Sequence, residues 1–337
     1  MKEALLYEQL ESNDLKCRLC RHGCKIEDGK KGICQVRLNK GGTLYSLVYD
    51  KVISTNVDPI EKKPLFHVAP GSRSFSMATV GCNFRCSFCQ NHSISQMPRD
   101  RGVITGEAIA PRVLAELAQQ SGSRSIAYTY TEPTIYYEIA RDTMVEAREL
   151  GLLNVFVTNG YMSRETLDDC KGLLDAANVD LKAFRDIFYV KYCKARLEGV
   201  LDTLRYMKDL AIWVEVTTLL IPGLNDDPEE VRDMAKFIKN ELGAETPWHV
   251  SRFHPQYREL DRRSTRVGAV QDVRQIGLDE GLQYVYTGNV PWDPGEKTYC
   301  PGCSFLLIDR AGYTINSNQI QDGKCPECGH EISGIEM

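Results

Sequence analysis

The sequence predicts an α/β fold in which alternating strands and helices form a complete or partial TIM-type (β/α) barrel. Short, almost continuously apolar runs recur between residues 75 and 287, and amphipathic segments of helical period separate them. Apolar runs of this kind are typical of parallel strands buried on both faces. The alternative is an open, doubly wound sheet, which is less favoured because no G-x-G-x-x-G pattern follows the first strand.

The predicted strands follow one another along most of the chain. They are FSMATV (75–80), SIAYTY (125–130), LNVFVT (153–158), NVDLKA (178–183), AIWVEVTTLL (211–220), WHVSRF (248–253) and LQYVYT (282–287). The catalytic residues of a parallel barrel gather at the carboxyl ends of its strands. The residues after each run are therefore the first candidates for a functional site.

The amphipathic segments between the strands predict helices. These segments span residues 107–120, 133–150, 163–177, 198–210 and 227–242. Ser163 and Asp227 are suited to N-capping, because their side-chain oxygens can accept a hydrogen bond from the first helical turn.

Composition and charge exclude several classes of protein. The 337 residues carry a formal net charge of −5 with both signs interspersed, so we expect no basic surface for nucleic acid. The first residues, MKEALLYEQLESNDLK, contain no apolar signal-peptide core. No run of about eighteen apolar residues occurs. We therefore expect a soluble, cytoplasmic protein that does not associate with membranes.

The placement of the cysteines predicts metal sites. All of the 13 cysteines except Cys170 and Cys193 fall into three clusters, at residues 17–34, 82–89 and 300–328. In a reducing cytoplasm, gaps of two and three residues between cysteines indicate metal ligands. A disulfide framework is the alternative, but it is typical of short secreted chains.

The central cluster, GCNFRCSFCQN at residues 81–91, places three cysteines on the loop that leaves the first predicted strand. Thiolates select zinc, copper(I) or iron–sulfur clusters. A zinc site would need a fourth ligand in addition to Cys82, Cys86 and Cys89, and His92 is the nearest candidate. The alternative is a [4Fe–4S] cluster that leaves one iron open and reactive.

The spacing C-x3-C-x-aromatic-C after a first barrel strand resembles that of the radical S-adenosylmethionine (SAM) enzymes. The resemblance implies that Cys82, Cys86 and Cys89 are catalytic and hold a [4Fe–4S] cluster whose open iron binds SAM. It also implies reductive cleavage of SAM to a 5′-deoxyadenosyl radical, which abstracts hydrogen. Phe88 and Gln90, on either side of the last cysteine, are expected to contact the cofactors.

Residues after the second and third strands extend this resemblance. Tyr130 and Thr131 precede Glu132 where the family often has two glycines, and Glu132 is expected to accept a hydrogen bond from the SAM amino group. Asn159 is expected to line the same pocket. Val157 stands where related activating enzymes can carry Asp, so a cation site built on that carboxylate is not expected.

Residues after the fourth and sixth strands are similar to those of pyruvate formate-lyase activating enzymes. Strand alternation places Asp180 and Lys182 on the same side. The resemblance implies that this Asp-x-Lys pair contacts the ribose and carboxylate of SAM. His254 is expected to be a further ribose contact.

Two cysteine modules flank the barrel. At the N-terminus, Cys17, Cys20, Cys24 and Cys34 can close a zinc site or hold a second iron–sulfur cluster, and we favour zinc. His22 could replace one of these ligands. At the C-terminus, two C-x2-C knuckles indicate a zinc-ribbon or rubredoxin-like module that binds zinc or iron. The knuckles contain Cys300, Cys303, Cys325 and Cys328.

Over nearly its whole length the chain is similar to the radical SAM component of the AmmeMemoRadiSam system. The matching motifs include PIEKKPLFHVAPG, YTYTEPT and YVYTGNV. The resemblance implies protein partners of the Memo-like and AmmeCR1-like families, and an electron donor such as flavodoxin or ferredoxin. We expect an N-terminal Cys-rich segment (1–50), a lead-in segment (51–74), the barrel (75–290) and the C-terminal module (291–337).

Three functions are compatible with these residues. The first is an enzyme similar to the activating enzymes, which abstracts hydrogen from a protein or peptide. The second is radical modification of a small molecule, and the third is a non-enzymatic iron or zinc sensor that binds partners. Cys193 is expected to be an inert buried thiol, although a role as hydrogen donor is an alternative, and Cys170 is expected to be a core residue.

Overall fold

A computed structural model describes residues 1–337 and shows one open sheet of eight strands. We number its strands in chain order as β1 (Val52–Pro59), β2 (Arg73–Thr79), β3 (Ser125–Tyr128), β4 (Leu153–Thr158), β5 (Ala176–Asp180), β6 (Trp213–Leu220), β7 (Trp248–Arg252) and β8 (Val285–Gly288). From β2 to β8 each strand pairs in parallel with the next one along the chain. Strands β1 and β8 lie at the two edges and do not pair with each other, so the sheet is a partial barrel and not a closed one.

Strand β1 extends the sheet in the opposite direction. It pairs antiparallel with β2, from Val52 opposite Thr79 to Pro59 opposite Arg73. The sequence predicts a lead-in segment here and no strand. It was missed because residues 53–57 are not buried, so the apolar run that indicates an inner strand is absent.

Six longer helices connect the parallel strands. They are α1 (Pro111–Gln120), α2 (Tyr137–Glu149), α3 (Arg164–Cys170), α4 (Leu197–Asp209), α5 (Pro228–Phe237) and α6 (Val267–Asp279). The two predicted N-caps are confirmed, since Ser163 accepts a hydrogen bond from Thr166 N and Asp227 accepts from Glu229 N and Glu230 N. Helix α6 was not predicted.

Two sequence-based boundaries were wrong. Helix α3 ends at Cys170, not at residue 177, because Gly172 takes a left-handed conformation with φ of +77°. Strand β5 consequently begins at Ala176 and ends at Asp180. Lys182, which the sequence placed inside the strand, lies on the loop that follows it.

Shorter elements complete the chain. Short helical turns are Glu11–Asn13, Ile60–Lys62, His92–Ser95, Met97–Asp100, Pro133–Tyr136, Asp186–Phe188, Tyr189–Cys193, Ile238–Leu242 and Pro294–Glu296. The N-terminal strands are Lys2–Glu3, Tyr7–Gln9, Leu15–Cys17, Lys25–Ile26, Arg37–Lys40 and Thr43–Ser46, and the C-terminal ones are Thr298–Tyr299, Leu306–Ala311 and Thr314–Asn318. None of the helices combines the length and apolarity that a membrane crossing requires.

The two flanking modules differ in how they are stabilised. The N-terminal segment shares the main hydrophobic core of the barrel, and its buried Arg37 pairs with Glu138 of α2 at 2.9 Å. The C-terminal module has a core of five residues, and two of them, Cys300 and Cys325, are cysteines. A core of this size does not stabilise a fold alone, so contacts with the barrel and a metal held by the four cysteines are expected to contribute.

Candidate active site

A cavity of about 420 Å³ lies where the parallel strands end, and it has the size of a cofactor-binding site, about 300–1,000 Å³. It brings together all but one of the residues predicted to bind the central cofactors. These residues are Cys82, Cys86, Cys89, Phe88, Gln90, Thr131, Glu132, Asn159, Asp180 and Lys182. The carboxyl ends of β2 to β5 therefore supply one site from segments that are far apart in the sequence.

The three cysteines of the β2 loop are not grouped closely enough to hold a single ion. No three ligand atoms around Cys82, Cys86 and Cys89 lie within 4.8 Å of one another, in contrast to the C-terminal cysteines. His92, the candidate fourth zinc ligand, does not line the cavity; its Nδ1 lies 3.2 Å from the Cys89 carbonyl oxygen and its ring stacks on Tyr257. Three separated thiols around a cavity fit a [4Fe–4S] cluster better than a closed zinc site.

Glu132 is a buried carboxylate with fixed orientation. Its Oε1 accepts hydrogen bonds from both hydroxyl groups of Thr134 and Thr158, at 2.5 and 2.7 Å. Its Oε2 accepts from Asn159 N at 2.8 Å. Burial raises the pKa of Glu132, and these bonds oppose the rise. A carboxylate held in this way is suited to binding an ammonium group in the cavity.

Asp180 and Lys182 form an ion pair inside the cavity, with Lys182 Nζ 2.6 Å from Asp180 Oδ2. Burial opposes the lysine charge, but Asp180 and the nearby thiols outweigh burial and raise the pKa of Lys182. Asn225 donates to the Lys182 carbonyl oxygen at 2.6 Å and so holds the loop that carries the lysine. The pair offers one anionic and one cationic group to a ligand.

Asn159 joins the β4 loop to the cysteine loop. Its Nδ2 donates to Asn83 Oδ1 at 2.7 Å and lies 3.8 Å from Cys82 Sγ. Val157 lines the same cavity, and it offers no carboxylate for a cation. Asn159 therefore lies where it can position a cysteine of the loop.

His254 is the predicted cofactor contact that the structure does not place in this cavity. It is exposed and lines a neighbouring cavity of about 610 Å³. The two cavities share Gln90, Asn289 and Tyr313 as lining residues. The two cavities are therefore adjacent, and the second extends to Ala311, Gly312 and Tyr313 of the C-terminal module.

One wall of the main cavity is cationic, which the sequence did not predict. Lys62 and Lys63 line it, and their Nζ atoms lie 2.8 and 2.6 Å from the two carboxylate oxygens of Asp58. Tyr130 also donates to Asp58. Burial alone would raise the pKa of Asp58, but these three partners hold it below its ordinary value. The adjacent lysines of the PIEKKP motif were the available signal, and two lysines on one carboxylate leave a net positive charge.

The two remaining solitary cysteines are both buried. Cys170 packs in α3 against Tyr137, as expected of a core residue. Cys193 does not line the cavity, and its thiol lies beside that of Cys86. Burial, together with Cys86, raises the pKa of the Cys193 thiol well above its ordinary value.

The two flanking cysteine sets differ in geometry. At the C-terminus, Cys300 Sγ lies 3.6 Å from Cys328 Sγ, and Cys303 Sγ lies 3.7 Å from Cys325 Sγ. All four sulfurs lie within 4.8 Å of one another, as a single ion requires. At the N-terminus, Cys17, Cys20, Cys24 and Cys34 line a small separate cavity and show no such close grouping.

Comparison with known proteins identifies relatives of the chain. The profile described as the radical SAM superfamily matches residues 77–238. The chain is 46% identical over 337 residues to "Uncharacterized protein MJ0808" of Methanocaldococcus jannaschii, with 98% of this chain and 99% of that protein covered. It is 26% identical over 173 residues to "Putative glycyl-radical enzyme activating enzyme MJ1632" of the same organism, with 50% and 64% covered.

A solved structure supports the fold assignment. Streptococcus suis SuiB bound to S-adenosylmethionine superposes with a TM-score of 0.52 at 12% identity, over 68% of this chain and 53% of that one. At this level of identity the similarity concerns the fold alone. The matched profile residues run from β2 to the end of α5 and the start of the next turn, and they include the cysteine loop and Lys182.

Proposed function

This chain belongs to the radical SAM superfamily of enzymes, and from this premise we propose that it cleaves SAM reductively and abstracts hydrogen from a protein or peptide. The observation that carries the proposal is the convergence of three separated thiols, a buried carboxylate and an ion pair on one cavity. Cys82, Cys86 and Cys89 would hold a [4Fe–4S] cluster, which would supply the electron needed for reductive cleavage of SAM.

The polar residues of the cavity are proposed to hold SAM in place. Glu132 is fixed by its hydrogen bonds and can accept one more from the SAM amino group. Lys182 and Asp180 offer a cation for the carboxylate and an acceptor for the ribose hydroxyls. Phe88 is buried beside the cysteines and limits the access of water.

The neighbouring cavity supports a macromolecular substrate. It is about 610 Å³ and opens beside two aromatic side chains that are strongly exposed, Trp292 at 84% and Tyr313 at 50%. Exposed aromatic residues at the rim of a groove are typical of protein-binding surfaces. We therefore extend the proposal to a protein substrate, with Memo-like and AmmeCR1-like partners and a flavodoxin or ferredoxin as the electron donor.

The first experiment measures SAM cleavage. The protein is reconstituted anaerobically with iron and sulfide, reduced with dithionite and mixed with SAM, and 5′-deoxyadenosine is quantified. We expect product from the wild type and from Cys170→Ala, since Cys170 lies outside the cavity. Cys89→Ala should give only background, because it removes a cluster ligand.

Two outcomes would contradict this proposal. If the wild-type protein has its full iron content but does not bind SAM, the alternative of a metal sensor is favoured. Equal product from the wild type and Cys89→Ala would show that the cysteine loop does not support the chemistry.

A second experiment identifies the class of substrate. Each candidate protein partner is prepared with deuterium in its aliphatic positions and mixed with the reduced enzyme and SAM. Deuterium in 5′-deoxyadenosine is the expected result for a protein substrate. Deuterium transfer from a labelled metabolite extract, and none from the proteins, would favour modification of a small molecule.

A further inference from the structure

We infer that Cys17, Cys20, Cys24 and Cys34 hold a second iron–sulfur cluster that lies against the loop of the catalytic cysteines. This replaces the sequence-based preference for zinc at these four residues. The inference depends on the spacing of the thiols, on the cavity between them and on two buried N–H groups without acceptors. It does not depend on the proposed reaction.

The distances between sulfur atoms distinguish a zinc site from an iron–sulfur cluster. Zinc with bonds of about 2.3 Å to four thiolates holds the sulfurs about 3.8 Å apart. The C-terminal set matches this value, with Sγ–Sγ distances of 3.6 and 3.7 Å. At the N-terminus no three candidate ligand atoms lie within 4.8 Å of one another, which is also true of the cysteines on the β2 loop. A cluster separates its thiolates further than an ion, because its irons and sulfides lie between them.

The cavity between the N-terminal thiols leads to the same conclusion. All four cysteines line a cavity of about 20 Å³, whose other walls include Leu19, Ile26 and Ile135. A tetrahedral zinc site closed by four thiolates leaves no room between its sulfurs for a water-sized sphere. The apolar walls favour a compact, dehydrated group such as an iron–sulfur core.

Two of the residues that line this cavity carry a buried N–H donor without an acceptor. Arg37 is 2% exposed, and its Nε has no hydrogen-bond partner, while its Nη1 faces Glu138. Asn83 is 1% exposed, and its Nδ2 also has no partner. Unpaired buried donors are costly, and the sulfurs of a thiolate-bound cluster would accept from both.

Asn83 connects this site to the catalytic loop. It follows Cys82 in the chain, and its carbonyl oxygen accepts a hydrogen bond from His22 Nε2 at 3.0 Å. His22 lies between Cys20 and Cys24, and this bond engages its Nε2 as a donor. The two cysteine sets are therefore in contact through Asn83 and His22.

The test combines metal analysis with a variant that lacks the catalytic site. Full-length Cys82→Ser/Cys86→Ser/Cys89→Ser is reconstituted anaerobically with iron, sulfide and zinc, and its iron, sulfide and zinc contents are measured. We expect about four irons and four sulfides per chain, with a reduced-cluster EPR signal and about one zinc. Adding Cys20→Ser/Cys24→Ser should remove the iron and keep the zinc.

Cys303→Ser/Cys328→Ser is the matched control, because it removes two exposed cysteines from the other flanking module. It should lose the zinc and retain about eight irons. The inference is overturned if the triple variant binds no iron and two zinc ions. If a variant does not fold, the iron content of the wild-type protein tests the inference instead. Mössbauer spectra that account for about four irons per chain, and not for about eight, would contradict a second cluster. The triple variant cannot cleave SAM, so the result is independent of the proposed function.

Discussion

At Glu132, four donors of the protein converge on one buried carboxylate: the backbone N–H and hydroxyl of Thr134, the hydroxyl of Thr158 and the backbone N–H of Asn159. This network fixes the side chain before any ligand binds. Less side-chain conformational entropy is therefore lost when SAM binds. The sequence indicated Glu132 through its TEP motif. It did not indicate that Thr158, at the end of β4, and Asn159, in the loop that follows, would donate to Glu132, because they lie 26 and 27 residues away.

We predict that Glu132→Gln weakens SAM binding at least tenfold, because the amide lacks the charge that attracts the ammonium group. Glu230→Gln is the matched control: Glu230 is also buried and accepts a backbone hydrogen bond, from Phe184 N at 2.6 Å, but lies outside the cavity. Both variants should lose about 1–3 kcal/mol of stability. Equilibrium dialysis of SAM with reconstituted protein measures the affinity, and equal dissociation constants in the two variants would contradict the assignment.

The positions of Lys62 and Lys63 in the cavity could not be predicted from the sequence. Their side chains reach the cavity because β1 pairs with β2, and the short helix after β1 turns them toward Asp58. The partner Tyr130 is 72 residues from Asp58 in the sequence. No local pattern encodes a contact of this kind, so the cationic wall could be found only from the folded chain.

At the scale of elements, the loop after β4 depends on a single glycine. Gly160 has φ of +68°, and a Cβ at this position would lie 2.6 Å from Val179 Cγ1 of β5. Gly160 N donates to Thr158 Oγ1, and Thr158 in turn donates to Glu132. The turn therefore couples packing between β4 and β5 to the orientation of the carboxylate.

Gly160→Ala should lower the free energy of unfolding by about 2–4 kcal/mol, from the left-handed backbone and the overpacking together. Gly172→Ala separates the two effects, because Gly172 also has a positive φ, +77°, but no atom within 4 Å of an added Cβ. It should cost only about 1 kcal/mol. Urea denaturation of the metal-loaded proteins measures both values. Equal losses would mean that contact with Val179 is not important.

The sequence identified elements well where burial on both faces gives a simple pattern. Strands β2 to β8 and helices α1 to α5 were recognised from apolar runs and helical periodicity. Helix α6 was missed because Gly268 and Gly277 interrupt its sequence. Gly277 is required by packing, since a Cβ there would lie 3.0 Å from Val285 and 3.1 Å from Trp248.

At the scale of the whole molecule, His67 attaches the C-terminal module to the barrel. Its Nδ1 donates to the Ser333 carbonyl oxygen at 2.7 Å, and its Nε2 accepts from Tyr286 at 2.7 Å. Arg310 of the module donates to the Phe66 carbonyl oxygen at 2.8 Å beside it. These partners are separated by more than 200 residues in the sequence, so the docking of the module is a tertiary property.

This contact predicts a dependence of stability on pH. Burial lowers the pKa of His67 to about 4, against about 6.5 in the unfolded chain. The unfolded chain therefore binds more protons between these values, so the contribution of His67 is complete above pH 6.5 and is lost as the pH falls toward 4. Its full size is about 3 kcal/mol. Denaturation of His67→Gln and of the wild type should be measured between pH 6.5 and pH 4. The free energy of unfolding should fall less steeply with pH in the variant, and equally steep profiles for the two proteins would refute the role of His67.

The sequence by itself determined the family, the cysteine motifs and the order of the strands whose ends form the site. These features depend on spacing and periodicity, which are local properties of the chain. Tertiary structure alone decided that Lys62 and Lys63 enter the cavity, that His254 lies beside it, and that the two flanking cysteine sets differ in spacing. The physical reason is that cavities and ligand distances depend on how distant segments pack, and a motif fixes which ligands are present but not the space between them.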